Sequence, residues 1–263
     1  MTPDAVLPHN TKAAATWNSG GQHYDRISHS IADSIEHCVH RLAPRRGERV
    51  LDVATGTGWT ARRVAARDAT VIGVDLGPDL IAAAQALAAE HRLAIDFRVG
   101  DAEKLPFDDQ SFDAVISTCG VMFASNPEAV AAELARVCRK GGRIGLTTWP
   151  PDGTIAGLFK VMRPFMPPPP PSPPPSPFEW GRPERVTALL GRPSICASRR
   201  VPRCCASRAP RPSGSSSSRA MGRPSRWRRA SMRSGARASS AISSPTTRAS
   251  RATSVWRCPA TTS

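Results

Sequence analysis

Residues 192–263 contain no Leu, Phe or Tyr, and no Lys, Asp or Glu. A segment without those apolar residues cannot build an ordinary core, and one without acids cannot pair its own charge, so this tail is expected to be disordered. Its 16 Arg carry the formal charge of +15, because residues 1–191 set 20 Lys and Arg against 21 Asp and Glu. Long apolar runs are missing too. No stretch of about 18 apolar residues occurs, and the start MTPDAVLPHNTKAAATW lacks a basic region followed by an apolar one, so neither a membrane span nor a secretory leader is expected. Of the seven Cys, Cys38, Cys119 and Cys138 are scattered, and Cys196, Cys204, Cys205 and Cys258 show no CxxC spacing. That excludes the usual zinc and disulfide frameworks and points to a reducing cytoplasm with no metal site.

Residues 1–25 are polar and irregular. Ile27, Ile31, Ile35, Val39 and Leu42 then recur at helical spacing, predicting one amphipathic helix that stops before Pro44. Short apolar runs at 49–54, 70–75, 94–99, 112–117 and 143–149 read as buried strands, separated by helical patterns at 59–67, 79–92 and 126–140. Asp79 is the expected N-cap of the second of these helices; Asn126-Pro127-Glu128 opens the third and Gly141-Gly142 closes it. Such alternation implies right-handed crossovers and a doubly wound, Rossmann-like α/β sheet with helices on both faces. Residues 154–165 read as a further helix, 166–177 as an extended proline-rich spacer, and 178–190 as ordinary folded sequence.

In an open α/β sheet ligands bind beyond the carboxyl ends of the strands, so the residues just after each strand are informative. After the first strand comes Asp52-Val-Ala-Thr-Gly56-Thr-Gly58. Its glycines let backbone N–H groups approach a ligand, and the following helix offers its positive end. With Ala61 the spacing also satisfies the relaxed dinucleotide pattern GxGxxG/A, which keeps a nicotinamide-dependent oxidoreductase open. The second strand ends in Asp75, where a carboxylate either accepts both hydroxyls of a ribose or caps the next loop. His23 and His37 are candidate general bases, although surface or helix-packing roles are commoner, and Cys119 reads as a strand-end packing residue before a nucleophile.

Gly100-Asp101-Ala102-Glu103-Lys104-Leu105-Pro106-Phe107 and Ser111-Phe112-Asp113-Ala-Val-Ile-Ser117, taken with VLDVATGTG and Asp75, resemble the class I S-adenosylmethionine-dependent methyltransferases, in the type 11 group that includes quinone-biosynthesis methyltransferases. RVCRKGGRIGLTTW is similar to that family's fifth-strand region and WNSGGQHYDRIS to its N-terminal lid, so the resemblance covers about residues 15–190. It implies an N-terminal lid or helical segment at 1–43, a cofactor domain at 44–150, and a remnant of the substrate region at 151–191. The resemblance also implies roles. Asp52, Gly56 and Gly58 would shape the loop around the methionine part of S-adenosylmethionine, with Ala54 standing where the family often has Gly. Asp75 would bind the ribose beside Leu76, Asp101 the adenine amino group, and Ala102 the adenine ring, while Thr118 would line the reactive end. Tyr24 and Trp59 would shield the cofactor, Trp59 being equally readable as a packing residue.

Methyl transfer suits so sparse a set of residues. The sulfonium already activates the methyl group, so the protein supplies mainly proximity, alignment and exclusion of water. Ser117-Thr118-Cys119-Gly120 replaces the Asn/Asp-Pro-Pro-Tyr/Phe motif of amino-methylating enzymes that act on bases or glutamine, which favours a small-molecule acceptor.

Two readings compete for residues 192–263. One is an Arg-rich nucleic-acid arm held by phosphate contacts. The other is out-of-frame translation of a GC-rich gene, which also accounts for charge carried wholly by Arg and for the abrupt loss of Leu and acids. The second explains more, so nucleic acid is not the expected partner. On this reading the final strands of a seven-stranded methyltransferase sheet are missing, the fifth strand is left as an open edge, and activity is weak or absent.

Overall fold

A computed structural model describes residues 5–166, 168, 173–191 and 252–258. Three helices precede the sheet: α1 (Thr11–Asn18), α2 (Asp25–Ser30) and α3 (Ala32–Leu42). Strands β1 (Arg49–Val53), β2 (Thr70–Asp75), β3 (Ile95–Val99), β4 (Phe112–Thr118) and β5 (Cys138–Thr148) are parallel, in the order β3-β2-β1-β4-β5. The helices α4 (Trp59–Ala65), α5 (Pro78–Glu90) and α6 (Pro127–Val137) make crossovers, and α7 (Thr154–Met162) and α8 (Pro183–Leu190) follow.

Strand alternation divides the interior into two cores, as the doubly wound reading requires. Leu51, Val53, Ile72, Val74 and Val115 face α6, where Val130, Leu134 and Val137 meet them. On the other face Val50, Val71, Ala114 and Ile116 pack under α3, α4 and α5 through Val39, Leu42, Val64 and Ala84. Asn126 caps α6 as expected, its side chain accepting the Ala129 N–H at 3.0 Å.

Four local expectations need correction. The single helix over 27–42 is two helices, broken at Ile31 (φ −115°, ψ 14°), where the Ser30 hydroxyl turns back onto the Ile27 carbonyl. Asp79 is not the cap of α5; Gly77 holds that position, and the Asn18 side chain reaches across from α1 to accept the Asp79 N–H at 2.7 Å and donate to its carboxylate at 2.8 Å. Gly141-Gly142 does not close α6, because burial of Cys138 beside Phe112 starts β5 three residues earlier and leaves the glycines in an irregular stretch of strand.

The fourth correction concerns the sheet edge. β5 is covered by an antiparallel strand, β6 (Ala252–Arg257), in register from Arg143↔Arg257 to Thr148↔Ala252. Val255 and Trp256, 2% and 4% exposed, point into the two cores. The composition of the whole tail hides this short segment, in which Thr253-Ser-Val-Trp256 is β-prone. A sixth strand is therefore present, and no seventh occurs among the described residues. The disordered-tail, nucleic-acid-arm and frame readings of residues 192–251 lie outside the described residues. No helix among the described residues is long and apolar enough to cross a membrane.

Candidate active site

The turn after β1 is held from behind by a buried acid. Asp52, 1% exposed, accepts the Thr55 hydroxyl at 2.6 Å through Oδ2, while Oδ1 has no hydrogen-bond partner among the described residues. Burial pushes its carboxyl up to about 7, and the Thr55 bond opposes that. Asp75, at the end of β2, ties this turn to the next one: Oδ2 accepts the Gly56 N–H at 2.8 Å and Oδ1 the Gly77 N–H at 3.1 Å. Its carboxyl is raised by burial and restrained by the backbone N–H groups of Gly77, Gly56 and Leu76.

Two positions explain the small residues here. Gly58 (φ 76°) sits so close to β3 that a Cβ would come within 2.7 Å of Phe97 Cζ. Ala54 (φ 56°) is in the left-handed region that favours glycine, which gives a physical meaning to its departure from the family pattern. Its methyl group fits because Gly120 lies opposite: a Cβ there would stand 2.4 Å from Ala54 Cβ.

At the end of β3, Asp101 is 2% exposed and accepts N–H groups from Glu103, Leu7 and the Asn10 side chain. After β4, the Thr118 hydroxyl meets that of Thr60 at 2.6 Å. The N-terminal helices supply the roof. Tyr24 lies against Gly56, where a Cβ would come within 3.3 Å of its ring, and packs edge-on to Trp17. Burial, and secondarily the Asp75 charge, push its phenol up to about 12, so it stays protonated at neutral pH.

These strand ends open on one cavity, whose volume counted together with its open mouth is about 980 Å3. Tyr24, Ala54, Gly56 and Asp75 line it, as do Leu76, Asp101, Ala102 and Thr118. Asp52 and Gly58 do not reach it and act through the turn. Trp59 lines the wall, with the Arg62 and Arg63 guanidinium groups over its ring at 5.6 and 5.5 Å. His23 and His37 are not among the lining residues, whereas Cys119 is. Asn10 and Phe123, which belong to none of the expected motifs, also line the cavity, as does Trp17 at the start of the lid-like WNSGGQHYDRIS segment. Trp17 and Phe123 form an aromatic wall, their ring centroids 4.9 Å apart.

Residues 51–146 match the family described as Methyltransferase domain. That stretch of the chain is similar to a methyltransferase domain. The chain is 46% identical over 145 residues to an uncharacterised protein of Mycobacterium tuberculosis, covering 55% of the present chain and 53% of the other. It is 40% identical over 143 residues to a demethylmenaquinone methyltransferase of Deinococcus radiodurans, covering 52% and 58% of the two chains. The crystal structure of the YcgJ protein from Bacillus subtilis matches with a TM-score of 0.46 at 28% identity, over 50% of this chain and 59% of that one. The chain spans a little over half the length of these curated relatives. Gly56, Gly58, Ala61 and Asp75 satisfy dinucleotide and methyltransferase patterns alike, and the matching family is the methyltransferase one.

Proposed function

We propose that this chain is a methyltransferase that moves the methyl group of S-adenosylmethionine to a small-molecule acceptor with an apolar, ring-containing body. The observation that carries the reading is the charge of the cavity. Its ionisable wall is Asp75, Asp101 and Glu103 with Tyr24 and Cys119, and no Lys, Arg or His lines it among the described residues. Such a wall suits a cationic sulfonium and opposes the pyrophosphate of a nicotinamide dinucleotide.

The donor and acceptor set fits a nucleoside. Asp75 accepts the Gly56 and Gly77 N–H groups, with the Leu76 N–H also directed at it, and its remaining acceptor capacity would take hydroxyls of a ribose. Asp101 would accept the adenine amino group, Ala102 and Leu76 would flank the base and sugar, and Ala54 and Gly56 would cradle the methionine part. Thr118 and Tyr24 would border the transferring methyl, with Asp52 and Gly58 shaping the turn. When bound, the sulfonium supplies an already activated methyl group. The residues of the chain then align the acceptor and exclude water beneath Trp17 and Tyr24, and no residue is assigned as a general base.

The aromatic wall of Trp17 and Phe123 gives the acceptor its character, and a quinone-like ring of the kind named for the Deinococcus relative would stack there. Calorimetry and thermal shift of the full chain with S-adenosylhomocysteine, NAD and NADP test the reading. S-adenosylhomocysteine should bind and raise the melting temperature, and stabilisation by a nicotinamide alone would sink it.

A further inference from the structure

Asn10 belongs to no motif of the chain, yet its side chain is 3% exposed, lines the cavity and is held at both ends. Its Nδ2 donates to Asp101 Oδ2 at 2.9 Å, and its Oδ1 accepts the Ser125 hydroxyl at 2.7 Å. The Leu7 N–H donates to the same Asp101 oxygen at 3.1 Å, and the Glu103 N–H donates to Oδ1 at 2.9 Å. His9 fastens the segment to the same strand end through Glu103, at 2.7 Å.

An ionised carboxylate offers about four acceptor positions. On Asp101 both positions of Oδ2 and one of Oδ1 are filled, so a single position on Oδ1 remains on a side chain that is almost wholly buried and borders the cavity. A carboxylate with one open acceptor position takes a ligand N–H or O–H and repels a carbonyl. We propose that Asn10 is a positioning residue for nucleobase selection: with the Leu7 N–H it locks Asp101 so that its one open acceptor position selects an exocyclic amino group over a carbonyl. The Ser125 hydroxyl supports this by fixing the carboxamide of Asn10. The inference rests on the assignment of the cavity to S-adenosylmethionine and adds a selectivity to it.

Calorimetric titration of the full chain with S-adenosylhomocysteine and with S-inosylhomocysteine, which carries a carbonyl in place of the amino group, reads this selectivity directly. Asn10→Ala should weaken the adenine compound about tenfold, the effect of losing one charge-assisted hydrogen bond, and leave the inosine compound nearly unchanged. Ser125→Ala keeps the bond to Asp101 and should give a smaller loss in the same direction. It carries the test if Asn10→Ala does not fold. Equal losses for both ligands would mean a merely structural role, and unchanged or tighter binding of the adenine compound would mean that the segment only covers the site or competes for it; either result overturns the proposal. If the wild-type chain binds neither compound, the cofactor assignment itself fails and the role of Asn10 falls with it. Wild-type binding with unaltered variants removes the Asn10 role alone.

Discussion

Strands β1 and β2 and the turn after β3 end in loops that bury Asp52, Asp75 and Asp101 and hold Ala54, Gly56 and Gly58 at positive φ. Strands β5 and β6, on the other side of β4, bury Ile144, Leu146, Val255 and Trp256 and no acid. The polar half carries unfavourable terms: acids raised by burial, an oxygen of Asp52 without a partner, and a non-glycine residue in the left-handed region. The apolar half contributes packing, though the indole N–H groups of Trp180 and Trp256 lack partners among the described residues. The contrast teaches that the polar half gives up stability to form a site while the apolar half supplies it, so that changes in the apolar half should leave binding largely intact.

The largest expected effect comes from the apolar half. Trp256 is 4% exposed and belongs to the core beneath α6 and α8. Trp256→Ala should destabilise by about 3 kcal/mol, the lower end for such truncations because an unsatisfied indole N–H is removed with the ring. Urea unfolding followed by fluorescence measures the loss. Titration of the protein that remains folded should give wild-type affinity for S-adenosylhomocysteine. A parallel loss of affinity would break the division between the halves.

Asp52→Asn probes the polar half and should move the two properties in opposite directions. The carboxyl is raised from 3.8 to about 7 in the fold. Below about pH 4 it is protonated in both states and costs nothing. Between about pH 4 and 7 the folded protein holds a proton that the unfolded chain has released, so this group makes stability fall as pH rises. Above about pH 7 the full penalty of a buried charge is present. The amide carries no such charge, so Asp52→Asn should be more stable than wild type by about 2 kcal/mol at pH 8 and close to it at pH 4. Denaturation at the two pH values checks the sign. At pH 8, where Asp52 carries its charge, the same change should weaken cationic S-adenosylmethionine several-fold more than neutral S-adenosylhomocysteine.

How much of this was legible in the sequence differs between the halves for the same reason. The strands β1 to β5 were visible because buried parallel strands are short apolar runs, and eight of the ten expected site residues line the cavity because strand ends and glycine turns fix where a backbone can approach a ligand. Asp52 and Gly58, expected to shape the loop, face Thr55 and Phe97 on the side of the turn away from the cavity lining. Asn10 and Asn18 were illegible, since each gains its meaning from a partner on another loop, Asp101 and Asp79, far along the chain. β6 was hidden by averaging: composition over a long Arg-rich segment conceals six residues that pair with a sheet edge.

The smallest effect is the most local. Ala54 at φ 56° adopts a conformation that costs an L-residue about 1 kcal/mol, while glycine would add freedom to the unfolded chain worth somewhat less. Ala54→Gly should therefore stabilise by only about 0.5 kcal/mol, within reach of careful urea titration. Its partner gives a sharper measurement. In the wild type Gly120→Ala would drive one methyl group into another, with Cβ atoms 2.4 Å apart, and should destabilise by about 2 kcal/mol. In the Ala54→Gly background that collision disappears and only the 3.0 Å approach to the Ala54 carbonyl oxygen remains. The double-mutant cycle should thus show coupling of about 1 kcal/mol. Equal costs in both backgrounds would mean that the carbonyl, and not the methyl group of Ala54, is what keeps position 120 a glycine.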